Sequence, residues 1–269
     1  MNDTTSAFVG NIPTNYDTRM GPVIFDHMAK RMADRAAALH PGRVLEIAAG
    51  TGIVTRHLAD SLGEEVAILA TDLNEPMLQV ARNKLDGDAR VEFQEADAQD
   101  LSFDDGVFDV VICQFGHMFF PDRPKAYAEA RRVLRPGGHY VFSTWGSNAE
   151  NPYSDIINQT FADTFQDDPP GFMKVPFSLN DPQTLLAEVA EAGFFDPNHE
   201  VAEHHSVVAS FDDFALGMML GSPAFFEVSE RGGDHVVLAR DLANRFRARF
   251  GDEPASMPLK AHFFSMTAQ

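Results

Sequence analysis

The residues of this chain best suited to chemistry are two carboxylates at strand ends, a glycine turn and a histidine. Glu46 closes the apolar run Val44–Ile47, and Gly50 and Gly52 follow at once. Glycines without a Cβ permit unusual φ and let backbone approach a ligand. The amphipathic pattern at Ile53, Val54, His57 and Leu58 then predicts a helix whose first N–H groups point at that ligand. Asp72 ends the next apolar run, about twenty residues after Gly52, the usual distance to a ribose-binding acid. Thr55 stands where a dinucleotide fingerprint would have its third glycine. His117 has an intrinsic pKa suited to proton abstraction, but it reads more readily as a residue that only lines a pocket or fills a helix start. His204 and His205 are adjacent on an expected strand, so they point to opposite faces and make a poor chelate; no metal is expected.

A doubly wound α/β fold would position these groups, because such folds bind ligands at the carboxyl ends of their strands. The apolar run Val66–Ala70 and the segments Val91–Ala98, Phe108–Phe115 and His139–Trp145 supply strands after the first. Glu75–Leu78, with Pro76 in the first turn, starts one intervening helix, and Pro124–Leu134 forms another. Residues 1–15 read as loop, and the spacing of Val23, Ile24, Phe25, Met28 and Met32 predicts a helix. After Trp145 the pattern loosens. Residues 146–180 are rich in proline and phenylalanine, with a helix expected near Tyr153–Phe165. Further helices are expected at Pro182–Ala192, Phe211–Gly221 and Asp234–Phe250, and strands at His199–Ala209 and Lys260–Met266.

Four motifs, taken in order, resemble those of the class I S-adenosylmethionine (SAM)-dependent methyltransferases. They are Glu46-Ile47-Ala48-Ala49-Gly50-Thr51-Gly52, Thr71-Asp72-Leu73, Glu95-Ala96-Asp97-Ala98 and Leu134-Arg135-Pro136-Gly137-Gly138. The resemblance covers roughly residues 43–145 and is strongest to the small-molecule branch that includes the ubiquinone/menaquinone methyltransferases. It implies a Rossmann-like, doubly wound seven-stranded sheet with an antiparallel last strand and a helical cap. The whole chain, 1–269, would be one domain, with core at about 40–145 and 181–269 and cap insertions at about 146–180 and 210–233. The implied cofactor is SAM. Glu46, Ala48, Gly50 and Gly52 would line its methionine half, Ala48 replacing the usual glycine. Asp72 and Leu73 would lie at the ribose, Asp97 and Ala98 at the adenine, with Gln114 also at the cofactor. Met77 either packs on the adenine or faces the core, and Tyr16 either touches the ligand or anchors a helix start. His117 follows the fourth strand, where the family holds the acceptor.

The bulk numbers narrow the partners. A formal net charge of −19 repels phosphate backbones, so no nucleic-acid partner is expected. The dense arginines Arg240, Arg245, Arg247 and Arg249 read as a solvated helix face. No apolar run is long enough for a membrane span, and Met1–Gly10 lacks a signal pattern. A single cysteine, Cys113, fits a reducing compartment and a cytoplasmic location. The expected partner is a small, apolar or ring-bearing methyl acceptor; the oligomeric state is open. Two rival readings are a nicotinamide-dependent oxidoreductase, which Thr55 disfavours, and a non-catalytic SAM binder, which an occluded pocket beside Phe115–Met118 would favour.

Overall fold

A computed structural model describes residues 6–269, so the expectations for Met1–Thr5 lie outside it. Seven strands form one sheet: β1 (Arg43–Ile47), β2 (Ala67–Asp72), β3 (Val91–Glu95), β4 (Phe108–Gln114), β5 (Leu134–Trp145), β6 (Phe195–Val208) and β7 (Ala255–Thr267). Their order is β3-β2-β1-β4-β5-β7-β6. The first five run parallel, and β7 lies antiparallel between β5 and β6. Val44, Leu45 and Ile47 of β1 are buried, as are Val110 to Cys113 of β4, which is how central parallel strands covered on both faces read. The edge strands β3 and β6 expose much of their length. The chain order reverses between β1 and β4, so a crevice opens outside the ends of those strands.

Helices α3 (Ile53–Ser61), α4 (Glu75–Lys84) and α5 (Arg123–Val133) connect the parallel strands. Pro76 and Pro124 sit in first turns, where the missing N–H costs nothing. The motif Arg135–Gly138 is not a free turn but belongs to β5, at a register shift against β4, with Gly137 at φ 77°. Helix α7 (Pro182–Glu191), capped by Asp181, covers the far side of the sheet.

Residues 6–11 are irregular, as expected, but helix begins at Ile12, earlier than expected. Helix α1 (Ile12–Asn15) runs through π-helical turns, Tyr16–Phe25, into α2 (Asp26–Ala38). Pro22 lies inside the π-helical stretch and has no N–H to give to the ladder, a sufficient reason for the wider turns.

The cap comprises α6 (Pro152–Thr164), a 3₁₀ turn at Phe172–Lys174, α8 (Phe211–Leu220), α9 (Ala224–Glu230) and α10 (His235–Phe250). α10 packs on α8 through Phe211, Phe214 and Phe246, and Arg245 pairs with Asp163 of α6 at 2.7 Å. α10, which follows residue 233, thus packs on the helices of both expected insertions. The arginines of α10 are partly consumed by this packing: Arg247 bonds Asp212 and Glu253. His204 stacks on His27 with ring centroids 3.5 Å apart, while His205 faces Ser256. No described helix is long and apolar enough to cross a membrane.

Candidate active site

The crevice holds two adjoining cavities. The first, about 260 Å³, lies over the ends of β1, β2, β3 and β4. Tyr16, Ala48, Gly50, Asp72, Leu73, Met77, Asp97, Ala98 and Gln114 all line it. Strand periodicity and the following turns deliver them to one place, because each parallel strand ends at the same edge of the sheet.

The glycine turn is built on left-handed backbone. Gly50 and Gly52 have φ of 57° and 73°, and Ala48 has φ 54°. A side chain on Gly50 would project toward Met77 Cε, 3.4 Å away, at the cavity wall. A Cβ on Gly52 would instead meet Ala81 Cβ of α4 at 2.8 Å. Gly52 does not line the cavity; its missing side chain lets α3 start against α4. Ala48 keeps a Cβ in a region that L-residues rarely enter.

Asp72 is 8% exposed and fixed by two backbone donors. Gly50 N donates to Oδ2 and Asn74 N to Oδ1, both at 2.8 Å. Burial raises its pKa in spite of those bonds. Each oxygen retains acceptor capacity, so the carboxylate can still take hydroxyl donors. Gln114 points a buried, unpartnered Oε1 at the same crevice. Asp97 accepts from Gln99 N at 2.8 Å. Glu46 is 2% exposed and lines a small corner with Tyr16, Gly50 and Gln114. Burial pushes its pKa up to about 8, against a 2.7 Å hydrogen bond from Thr55 Oγ1. Thr55, which departs from the dinucleotide fingerprint, is thus the partner of Glu46.

The second cavity, about 60 Å³, lies between the core and the cap. Phe8, Tyr16, Phe115 and Phe119 line both cavities and form the seam. Phe115 stacks on Trp145 at 3.9 Å, and Tyr16 stacks on Phe25 at 4.6 Å. Met118, Met218, Phe172 and Phe177 close the rest. Among the described residues, no Asp, Glu, Lys, Arg or His lines it.

His117 is not at either cavity. It is fully buried beneath the crevice, ring against Phe142 at 4.2 Å, with Nε2 2.6 Å from Tyr140 Oη. Burial lowers its pKa to about 3. The reason is local geometry. Residues 117–119 form a 3₁₀ turn of three residues, so Gly116 and Phe119 share the cavity face and His117 turns under the sheet edge. Phe119, which lines both cavities, falls in the stretch after β4 where the resemblance implies substrate-facing residues. Sequence reasoning missed Phe8, Asn74, Tyr153 and Ser222, and of these only the lone aromatic Phe8 in a polar arm carried any signal.

Comparison with known proteins agrees with this geometry. Residues 44–138 match a methyltransferase domain family. The demethylmenaquinone methyltransferase of Clavibacter sepedonicus is 44% identical over 123 residues, 44% of this chain and 49% of that protein. The ubiquinone/menaquinone biosynthesis C-methyltransferase UbiE of Ectopseudomonas mendocina is 33% identical over 180 residues, 61% of this chain and 70% of that protein. The chain thus spans about half the length of the first relative and over two thirds of the second. Phosphoethanolamine N-methyltransferase 2 of Haemonchus contortus, solved with SAM, shares the fold, with a TM-score of 0.60 at 17% identity over 96% of this chain and 57% of that one. The chain belongs to the class I SAM-dependent methyltransferases, and among them it resembles the ubiquinone/menaquinone C-methyltransferases.

Proposed function

We propose that this protein transfers a methyl group from SAM to a small, apolar or ring-bearing acceptor. The observation that carries this reading is the pairing of an acid-walled cavity with an uncharged aromatic one across a shared seam. The first cavity fits the cofactor: an orphaned Gln114 Oε1, spare acceptor capacity on Asp72, and a Gly50 whose Cβ would enter the space. In this reading Glu46, Ala48, Gly50 and Gln114 hold the methionine half, and Asp72 and Leu73 the ribose. Met77, Asp97 and Ala98 hold the adenine, and Tyr16 covers the junction. Gly52 shapes the turn without touching the ligand, and His117 packs the core.

SAM, when bound, supplies an electrophilic methyl group. The chain's residues then align and desolvate. The seam aromatics fix the acceptor beside the first cavity, and alignment of this kind lowers barriers by roughly 7–11 kcal/mol at best. With no carboxylate or imidazole among the described residues lining the second cavity, the acceptor supplies its own nucleophilic atom, and the proton that the methyl group replaces leaves to solvent. An amine-phosphate acceptor finds no charge partner there. The names of the quinone-methylating relatives point the same way, to an uncharged ring. The open cavity beside Phe115 disfavours a non-catalytic binder. We place the chain in one domain, with the cap extended through α10, and in the cytoplasm, acting on no nucleic acid.

The test is tritium transfer from methyl-labelled SAM to a panel of hydroquinones and phenols, with calorimetry of S-adenosylhomocysteine. Binding with transfer to at least one ring acceptor is expected. Asp72→Ala should weaken binding about tenfold or more, the size of a hydrogen bond to a charged group of about 1.5–3 kcal/mol. Wild-type protein that fails to bind S-adenosylhomocysteine would remove the reading.

A further inference from the structure

The second cavity contains one polar arrangement that packing does not account for. Tyr153, on α6 of the cap, is 2% exposed, and its ring packs edge-on against Phe177 and Phe214. It lines the aromatic cavity. Among the described residues no hydrogen bond engages its hydroxyl. The other two buried tyrosines behave differently: Tyr127 donates to Glu188, and Tyr140 pairs with His117. The described residues lining the cavity around Tyr153 are apolar apart from Trp145, Tyr16, whose phenol lies near that of Tyr153, and Ser222, which is turned back to Met218 O at 3.2 Å. No hydrogen bond joins the two phenols, so the Tyr153 hydroxyl stays free for a group that enters the cavity.

Resting on the reading of this cavity as the acceptor chamber, we propose that Tyr153 selects the acceptor: it donates a hydrogen bond to a ring-borne oxygen and orients the ring against Phe115 and Trp145. Tyr153 is then a specificity residue contributed by the cap, and the acceptor class narrows to flat rings with an exposed carbonyl or phenolic oxygen. The hydroxyl acts as a donor and not as a base, because burial raises its pKa far above the working range. The stacked Phe115–Trp145 pair offers the flat apolar wall that such a ring needs.

Trp145 is the chain's single tryptophan and lines this cavity, so its fluorescence reports occupancy directly. The probe is 2,3-dimethyl-1,4-naphthoquinone, which accepts hydrogen bonds, quenches tryptophan and has no free quinone-ring position for a thiol. The control is 2,3-dimethylnaphthalene, of matching shape without oxygens, measured by displacement of the quinone. Wild-type protein should bind the quinone with saturable quenching. Tyr153→Phe should weaken the quinone roughly five- to tenfold, the size of one net hydrogen bond, and leave the hydrocarbon unchanged. The ligand-free variant should melt no lower than wild type, since it loses an unpaired hydroxyl and no bond. Equal weakening of both probes, no weakening of either, a lower melting temperature, or no quenching of wild type by the quinone would each overturn the assignment. S-adenosylhomocysteine binding, measured on the same samples, stands apart: its loss in wild type refutes the methyltransferase reading, whereas its retention alongside any of those outcomes refutes only the role of Tyr153.

Discussion

At the scale of single residues, His117 shows how position along a chain differs from position in space. Its place directly after β4 led to an expected role at the acceptor, but the 3₁₀ turn buries it against Tyr140 and Phe142. A structural role makes its own pH prediction. The folded protein keeps His117 neutral down to about 3, whereas the unfolded chain takes up that proton near 6.5. The unfolded state therefore binds more protons in between, and the stability present above about pH 6.5 is lost as pH falls toward 3. His117→Phe leaves Tyr140 Oη unpaired, so it should destabilise by about 1–3 kcal/mol at pH 7.5. It also removes the acid penalty, so the deficit should narrow at pH 5. Urea unfolding at the two pH values measures both effects, and the pH profile of kcat should be the same in variant and wild type. An acidic limb of the kcat profile that disappears in the variant would restore the histidine as a base.

The glycine turn between β1 and α3 is where element-level reasoning separates two similar residues. Gly50→Val pushes carbons toward Met77 and the cavity, so S-adenosylhomocysteine binding should fall below detection in calorimetry while the fold survives. Gly52→Ala should act through the fold, because its Cβ meets Ala81 across the α3–α4 contact and sits at φ 73°. Overpacking with left-handed strain should cost about 1–3 kcal/mol of stability, visible as a lower melting temperature. If Gly52→Ala melts normally and binds poorly, both glycines belong to the ligand site. This turn, Asp72 and Asp97 were legible in the sequence because parallel strands end at one edge, so motif order alone gathers them. The cap was not. Its residues follow no single period, and α10 joins it through Phe246 and Arg245, contacts between segments far apart in the chain. The same limit hid Tyr153, whose importance lies in what it lacks, a partner, and no spacing rule records that.

Over the whole molecule, the N-terminal segment ties the two cavities to each other. Phe8 N donates to Asn74 Oδ1 beside Asp72, and the Phe8 ring meets Tyr16, Phe119 and Phe172 edge-on. Farther along, Asp17 pairs with Lys84 of α4 and Arg19 with Asp213 of α8, so one arm spans core and cap. Because Phe8 and Tyr16 wall both spaces, the arm cannot admit a large cofactor without disturbing the chamber beyond it. The consequence is kinetic. Turnover should follow a compulsory sequence, with SAM loading before the acceptor and S-adenosylhomocysteine departing last. Initial-rate studies should find S-adenosylhomocysteine competitive against SAM and noncompetitive against the acceptor, and Phe8→Ala should relax that sequence toward random entry. A random-order pattern in the wild-type enzyme would mean that the arm yields to either substrate, and that the seam between the cavities is a wall and not a gate.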